Sequence, residues 1–208
     1  MTGTESRRIT TELLSPVILA FAMASSAAHA VDAKGTFALH GIGALTCGEV
    51  NERIKTNASV REQLAAWLLG YVSATNRVRP DTYDITPIQQ PLILARMVEN
   101  VCASNAGTRL ETATYSLLTT LAPAGAKAES PLVKVQAGEN FVELRQETLK
   151  AVQQALIDRK FLKGKTTGEF GKPTETALGE FQKAEKLSAT NLPDPATLMR
   201  LLIEKPVL

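Results

Sequence analysis

The sequence predicts an all-α protein: a four-helix, disulfide-pinned N-terminal domain followed by a three-helix C-terminal module. Three observations predict it. Apolar residues recur at steps of three and four in successive segments, the period of amphipathic helices. Two cysteines, Cys47 and Cys102, bracket most of the first part. Glycines and prolines gather between the helical segments, most densely at Gly164, Gly168, Gly171 and Pro173, where turns need left-handed backbone and a preset φ.

A chain of 208 residues with 44% hydrophobic residues has material for one or two small cores, and we read two domains. The net charge of +2, from 23 basic and 21 acidic residues spread along the chain, offers no field that would hold nucleic acid. Arg7 and Arg8 precede an apolar run from Leu13 to Ala28, and Ala28-His29-Ala30 fits the small-x-small pattern of signal-peptidase sites. Residues 1–30 are thus expected to be a cleaved export leader. The alternative, a retained membrane anchor, needs about 20 apolar residues, whereas Pro16, Ser25 and Ser26 interrupt this shorter run. No stable membrane insertion is expected after cleavage. In an exported chain an even cysteine count predicts pairing of Cys47 with Cys102.

The first domain is expected over residues 31–121. Thr46 and Glu49 have capping-box spacing, with Cys47, Val50 and Ile54 on one face of a helix ending near Asn57. Ser59 and Glu62 repeat that spacing before a stripe of Val60, Leu64, Trp67, Leu68, Tyr71 and Val72. Trp67 and Tyr71 are read as core, and Gly70 among them suggests the close approach of another backbone. Residues 76–85 read as a polar surface loop. Thr86, Pro87 and Gln89 then fit N-cap, N1 and N3 of a third helix with Ile88, Leu92, Ala95, Val98 and Cys102 inward, unless Pro91 shifts its start. A fourth helix, from about Thr108 to Leu121, turns Leu110, Thr114, Leu117 and Leu121 inward and stops at Pro123.

Leu45-Thr46-Cys47, the Trp67-Leu68-Leu69-Gly70-Tyr71-Val72 run with Asn76, and Val101-Cys102-Ala103-Ser104-Asn105 resemble the small one-disulfide helical proteins of Gram-negative periplasms. Those include HdeA-type acid-stress chaperones and Tai-type immunity proteins. The resemblance, over residues 36–122, implies a helical fold, a periplasmic location and an envelope protein as partner.

Residues 122–139 carry Pro123, Gly125, Pro131 and Gly138 and read as a linker, with a short strand at Leu132, Val133 and Val135 as an option. In the module, residues 140–208, helical patterning begins at Val142. A first helix turns Leu149, Val152, Ala155 and Leu156 inward and ends near Arg159 or Lys160. A second carries Ala177, Leu178, Phe181 and Ala184, and a third opens with Asp194 as N-cap and Pro195 at N1. The succession Val152-Gln153-Gln154-Ala155-Leu156, Phe161, Gly164, Gly168-Glu169-Phe170-Gly171-Lys172-Pro173-Thr174, Ala177-Leu178, Phe181-Gln182, Leu187 and Ala196-Thr197 resembles the peptidoglycan-binding domain found on many cell-wall hydrolases. That resemblance implies a three-helix fold and noncovalent binding to the cell wall, without catalysis by the module. Thr167 stands where the family commonly has Asp, and Asn191 and Lys160 where it commonly has Gly.

Peptidoglycan offers stem-peptide carboxylates and amides beside neutral sugars, so a binder needs cations, hydroxyls and backbone N–H groups on an apolar shelf. Lys163, Lys165, Thr166, Thr167, Phe170, Lys172 and Gln182 are the candidates. No cofactor, metal site or catalytic residue is expected. After leader cleavage His40 is the single histidine, too few for a His-ligated zinc hydrolase. Cys47 with His40 would suit a transpeptidase only as a free thiol, and Glu49, Glu52 and Glu62 read as a solvated helix face rather than a glycosidase acid. The expected function is a nonenzymatic periplasmic adaptor that holds a helical domain at the wall. The alternatives are a chaperone or immunity protein and, below it, a wall hydrolase.

Overall fold

The computed structural model describes residues 32 and 34–204, so the expected leader lies outside the described residues. The chain is mostly helical: α1 (Cys47–Thr56), α2 (Ser59–Val78), α3 (Pro91–Ala103), α4 (Leu110–Leu121), β1 (Leu132–Ala137), β2 (Asn140–Arg145), α5 (Gln146–Asp158), α6 (Lys172–Ala184) and α7 (Pro195–Leu198), which runs into a π-helical turn at Met199–Ile203. The described residues from 39 to 204 belong to one compact unit. Among the described residues no helix is long and apolar enough to cross a membrane.

Local chemistry sets the helix starts. At α1 the Glu49 amide donates to the Thr46 hydroxyl, and the Thr46 amide and hydroxyl donate back to the Glu49 carboxylate at 2.7 and 2.8 Å. The backbone bond from Thr46, then its hydroxyl, holds the Glu49 carboxyl below the usual glutamate range. The second expected capping box, Ser59 with Glu62, does not form. Ser59 is the first residue of α2, with Ala58 as N-cap, so its hydroxyl sits one position inside the helix, and both its amide and its hydroxyl donate to Asn57 Oδ1, at 3.0 and 2.8 Å.

The third helix starts later than the Thr86-Pro87 signal predicts. Pro91 is its N1 residue and Gln90 its N-cap. In a helix begun at Pro87, Pro91 would lack the N–H owed to the preceding turn and its ring would clash there, whereas at N1 the missing N–H costs nothing. Leu92 consequently sits at the margin of the inward stripe and is exposed, while Leu94, Ala95, Val98 and Cys102 are buried. Nor are residues 76–85 a surface loop throughout. Helix α2 continues to Val78, and Asp84, Ile85 and Thr86 are buried.

Trp67 and Tyr71 stack at 4.9 Å between ring centroids, both partly buried against the core. The indole lies on Gly43, where any Cβ would collide with it. The expected close approach at Gly70 is absent: that position faces open space, and Gly43 is the glycine that a neighbour requires. The Tyr71 hydroxyl donates to buried Glu111 at 2.6 Å, and burial, then this bond, keep the phenol protonated far above the ordinary tyrosine range. Cys47 and Cys102 form the disulfide, with an S–S length of 2.09 Å, joining α1 to α3. Arg61 and Glu99 add a two-pronged ion pair between α2 and α3, at 2.6 and 2.8 Å.

The fold departs from all-α at residues 132–145. Strands β1 and β2 pair antiparallel, from Leu132 opposite Arg145 to Ala137 opposite Asn140. Val135, Val142 and Leu144 face inward onto Leu149 and Leu192, and Lys134, Gln136 and Glu143 face out. This period of two belongs to a half-buried strand, so helical structure begins at Gln146 rather than Val142.

One apolar core draws on both sides of residues 122–139: Leu64, Leu68, Val98 and Leu118 belong to the same cluster as Leu156, Leu178, Phe181 and Leu201. A buried ion pair reinforces the union. Arg145 Nε donates to Asp84 at 3.2 Å, Gln89 Nε2 donates to the same oxygen at 3.1 Å, and Arg145 Nη1 donates to the Ser130 carbonyl at 3.0 Å.

Candidate functional site

Helix α5 ends with Lys160 in left-handed backbone, φ 66°. The Phe161 amide reaches back to the Leu156 carbonyl at 2.8 Å, and the Lys160 amide to Ile157 at 2.9 Å, the bond pair of a Schellman stop. The chain then crosses residues 161–171 before α6. One buried side chain organises this turn. Gln153 Oε1 accepts from the amides of Thr167 and Gly168, both at 2.8 Å, and its Nε2 donates to the Glu169 carbonyl at 2.9 Å and the Thr174 hydroxyl at 3.2 Å. Gly168 has φ 73°, and a Cβ there would press on Gln146 and Lys150. The Thr167 hydroxyl accepts from the Glu169 amide at 3.1 Å, the local turn bond expected of a threonine in place of aspartate.

Helix α6 repeats the device. Gln182 Oε1 accepts from the Asn191 amide at 2.8 Å, and Nε2 donates to the Leu192 carbonyl and the Thr190 and Thr197 hydroxyls, each at 2.9 Å. Asn191 has φ 57° in the place that Gly168 holds in the first turn, and its side chain packs on Gly179. Asp194 caps α7 by accepting from the Thr197 amide at 2.9 Å. Thr167 and Thr174 stand seven residues apart, as Thr190 and Thr197 do, so each turn is wound on a glutamine from the helix before it.

The first turn presents two adjoining clefts. One, of about 300 Å³, is lined by Lys163, Lys165, Thr167, Glu169, Phe170 and Pro173, with Leu162, Gln153 and Thr174 beneath. The other, of about 380 Å³ and more open, is lined by Phe161, Lys163, Lys172, Pro173, Thr176 and Glu180. They share Leu162, Lys163 and Pro173. The turn therefore brings Lys163, Lys165, Thr167, Phe170 and Lys172 together. Thr166 lies on the same loop, lining neither cleft. Gln182 does not join them: it is wholly buried, and its amide is spent on the second turn. Sequence reasoning missed Gln153, Glu169, Pro173 and Glu180 as lining residues. The signal for Gln153 was the pairing of each glutamine with a downstream threonine pair. Among the described residues, no three His, Cys, Asp or Glu side chains converge as metal ligands would.

Such a groove on a small helical scaffold, with cations and hydroxyls around an apolar floor, defines a binding module. Residues 145–201 match a family model described as a putative peptidoglycan binding domain, a span that holds α5, α6, α7 and both clefts. The match supports a C-terminal peptidoglycan-binding domain, and with it peptidoglycan as a partner and association with the cell wall. No curated protein and no solved structure matches the chain.

Proposed function

We propose that this chain is an exported, nonenzymatic adaptor of the periplasm. Residues 1–30 direct export, residues 140–208 bind peptidoglycan, and residues 31–121 are the part held at the wall. The observation that carries the reading is coincidence in place: the family match contains the groove on which Lys163, Lys165, Thr167, Phe170 and Lys172 converge. The lysines meet stem-peptide carboxylates, and the apolar floor takes the peptide's aliphatic portions. The nonenzymatic part of the reading draws support from Cys47, the transpeptidase nucleophile weighed above, whose sulfur is engaged in the disulfide.

Sedimentation of the full-length mature chain with purified sacculi tests the reading. The full chain is needed because its two parts share a core, and a cut would expose apolar surface. It should pellet at low salt and be released as screening shortens from about 30 Å at 0.01 M to about 10 Å at 0.1 M ionic strength. A chain left in the supernatant at low salt defeats the proposal, and release of soluble muropeptides defeats its nonenzymatic part.

A second reading, a chaperone or immunity protein that binds a protein through its helical part, draws on a cleft of about 180 Å³. Leu68, Leu69, Val72, Ile88 and Leu94 line it above Asp84 and Arg145, with Leu69 exposed at its side.

A further inference from the structure

We propose that the groove reads the peptide stem of peptidoglycan by its charges, and prefers a stem whose diamino acid keeps a free amine to one whose amine is consumed in a cross-link. This inference rests on the wall-binding reading above.

The groove carries charges of both signs. Its first cleft is lined by Lys163, Lys165 and Glu169, its second by Lys163, Lys172 and Glu180. Lys172 is already paired with Glu175, at 3.1 Å. Among the described residues Lys163, Lys165, Glu169 and Glu180 make no ion pair with one another or with any other side chain. Two uncommitted cations and two uncommitted anions therefore line two clefts that share Leu162, Lys163 and Pro173. A ligand carrying carboxylates alone would meet Glu169 and Glu180 as like charges, which disfavours it.

A neutral glycan strand fits the groove no better. Sugar binding favours a flat aromatic face open to solvent, and both aromatic rings here are partly buried against the core. Phe161 is further engaged edge-on with Phe181 at 5.5 Å between centroids. A stem peptide with a free diamino acid has the complementary set. Its carboxylates suit Lys163 and Lys165, its ammonium suits Glu169 or Glu180, and its methylenes suit Leu162 and Pro173. Cross-linking acylates the amine to a neutral amide, which removes the positive charge and leaves a single N–H in place of three donors. The groove would thus mark wall that is not yet, or no longer, cross-linked.

The test uses the full-length mature chain, with sacculi whose stems contain a diamino acid, either native or with their free amines acetylated by acetic anhydride. Binding to acetylated sacculi is expected to be weaker by up to about fivefold, the upper size of one exposed ion pair. The double variant Glu169→Gln with Glu180→Gln should bind both preparations equally, while its thermal melt matches the wild type. Equal binding of native and acetylated sacculi by the wild type overturns the inference, as does a double variant that keeps the preference. Either result leaves wall binding standing. Failure to bind native sacculi at low salt overturns wall binding itself, and this inference with it.

Discussion

Gln182→Leu separates a structural glutamine from a ligand-contacting one. The substitution preserves volume and removes an amide that is wholly buried and makes four hydrogen bonds of 2.8–2.9 Å. The Thr190 hydroxyl keeps a partner, donating to Asp194 at 2.6 Å. The Asn191 amide and the Thr197 hydroxyl lose theirs, the Leu192 carbonyl keeps only a 3.4 Å contact from the Thr190 hydroxyl already given to Asp194, and Leu192 and Thr197 are buried. At about 1 kcal/mol for each stranded group, the lower end of the usual range, the loss is about 3 kcal/mol. Urea unfolding should show it as a lower midpoint with unchanged slope, and melting should fall by roughly 6–12 °C for a chain of this size. Below the melting range, binding to sacculi should match the wild type. Gln154→Leu is the control, since Gln154 is exposed and bonds only Asp158, and should change stability by less than about 0.5 kcal/mol. The reasoning is refuted if Gln182→Leu is as stable as this control, or if it loses binding while folded.

Reducing Cys47–Cys102, which are 55 residues apart, should lower stability by about 4 kcal/mol on the chain-entropy account, read by urea unfolding with and without reductant. Asp84→Asn should cost about 3 kcal/mol in the same assay, because it leaves the Arg145 guanidinium partly buried without its counter-charge. Glu49→Ala should destabilise at neutral pH, with the difference from wild type shrinking in acid. The folded Glu49 pKa lies below its unfolded value, so its contribution is present above the unfolded value and is lost as pH falls through the folded one. Thermal melts of both proteins from neutral pH down into the acid range check the sign.

Features set by near neighbours were legible in the sequence. The Thr46 capping box, the Asp194 cap, Pro195 at N1 and the inward stripe of α4 all appear where spacing placed them. The errors share a cause. Ser59 became the first residue of α2 with Ala58 as its N-cap, and Pro91 overrode Thr86 and Pro87, because local signals competed and the sequence did not rank them. The optional strand at Leu132, Val133 and Val135 forms as β1, whereas its partner β2 was missed because its period-two stretch runs directly into a helix. Much of the lining of the two clefts was legible as loop chemistry, yet Gln153, on the preceding helix, and Glu180, on the following one, were not. A loop lined from two helices has no signature at a single spacing.

The sequence by itself determined where the helices lie, how several of them start, which cysteines are available to pair, and that the turn before α6 carries lysines and threonines beside left-handed backbone. Periodicity and capping act over three or four residues, so their outcome is written locally. Only the tertiary structure decided which polar side chains line the clefts and which do not. Gln153 and Gln182 are the same residue type on comparable helices and both are buried, yet the first lines a cleft and the second lines neither. It also decided that Asp84 would meet Arg145, 61 residues further along, and that both parts of the chain would share one core. Burial depends on partners brought together by the whole packing, and no short window of sequence contains them.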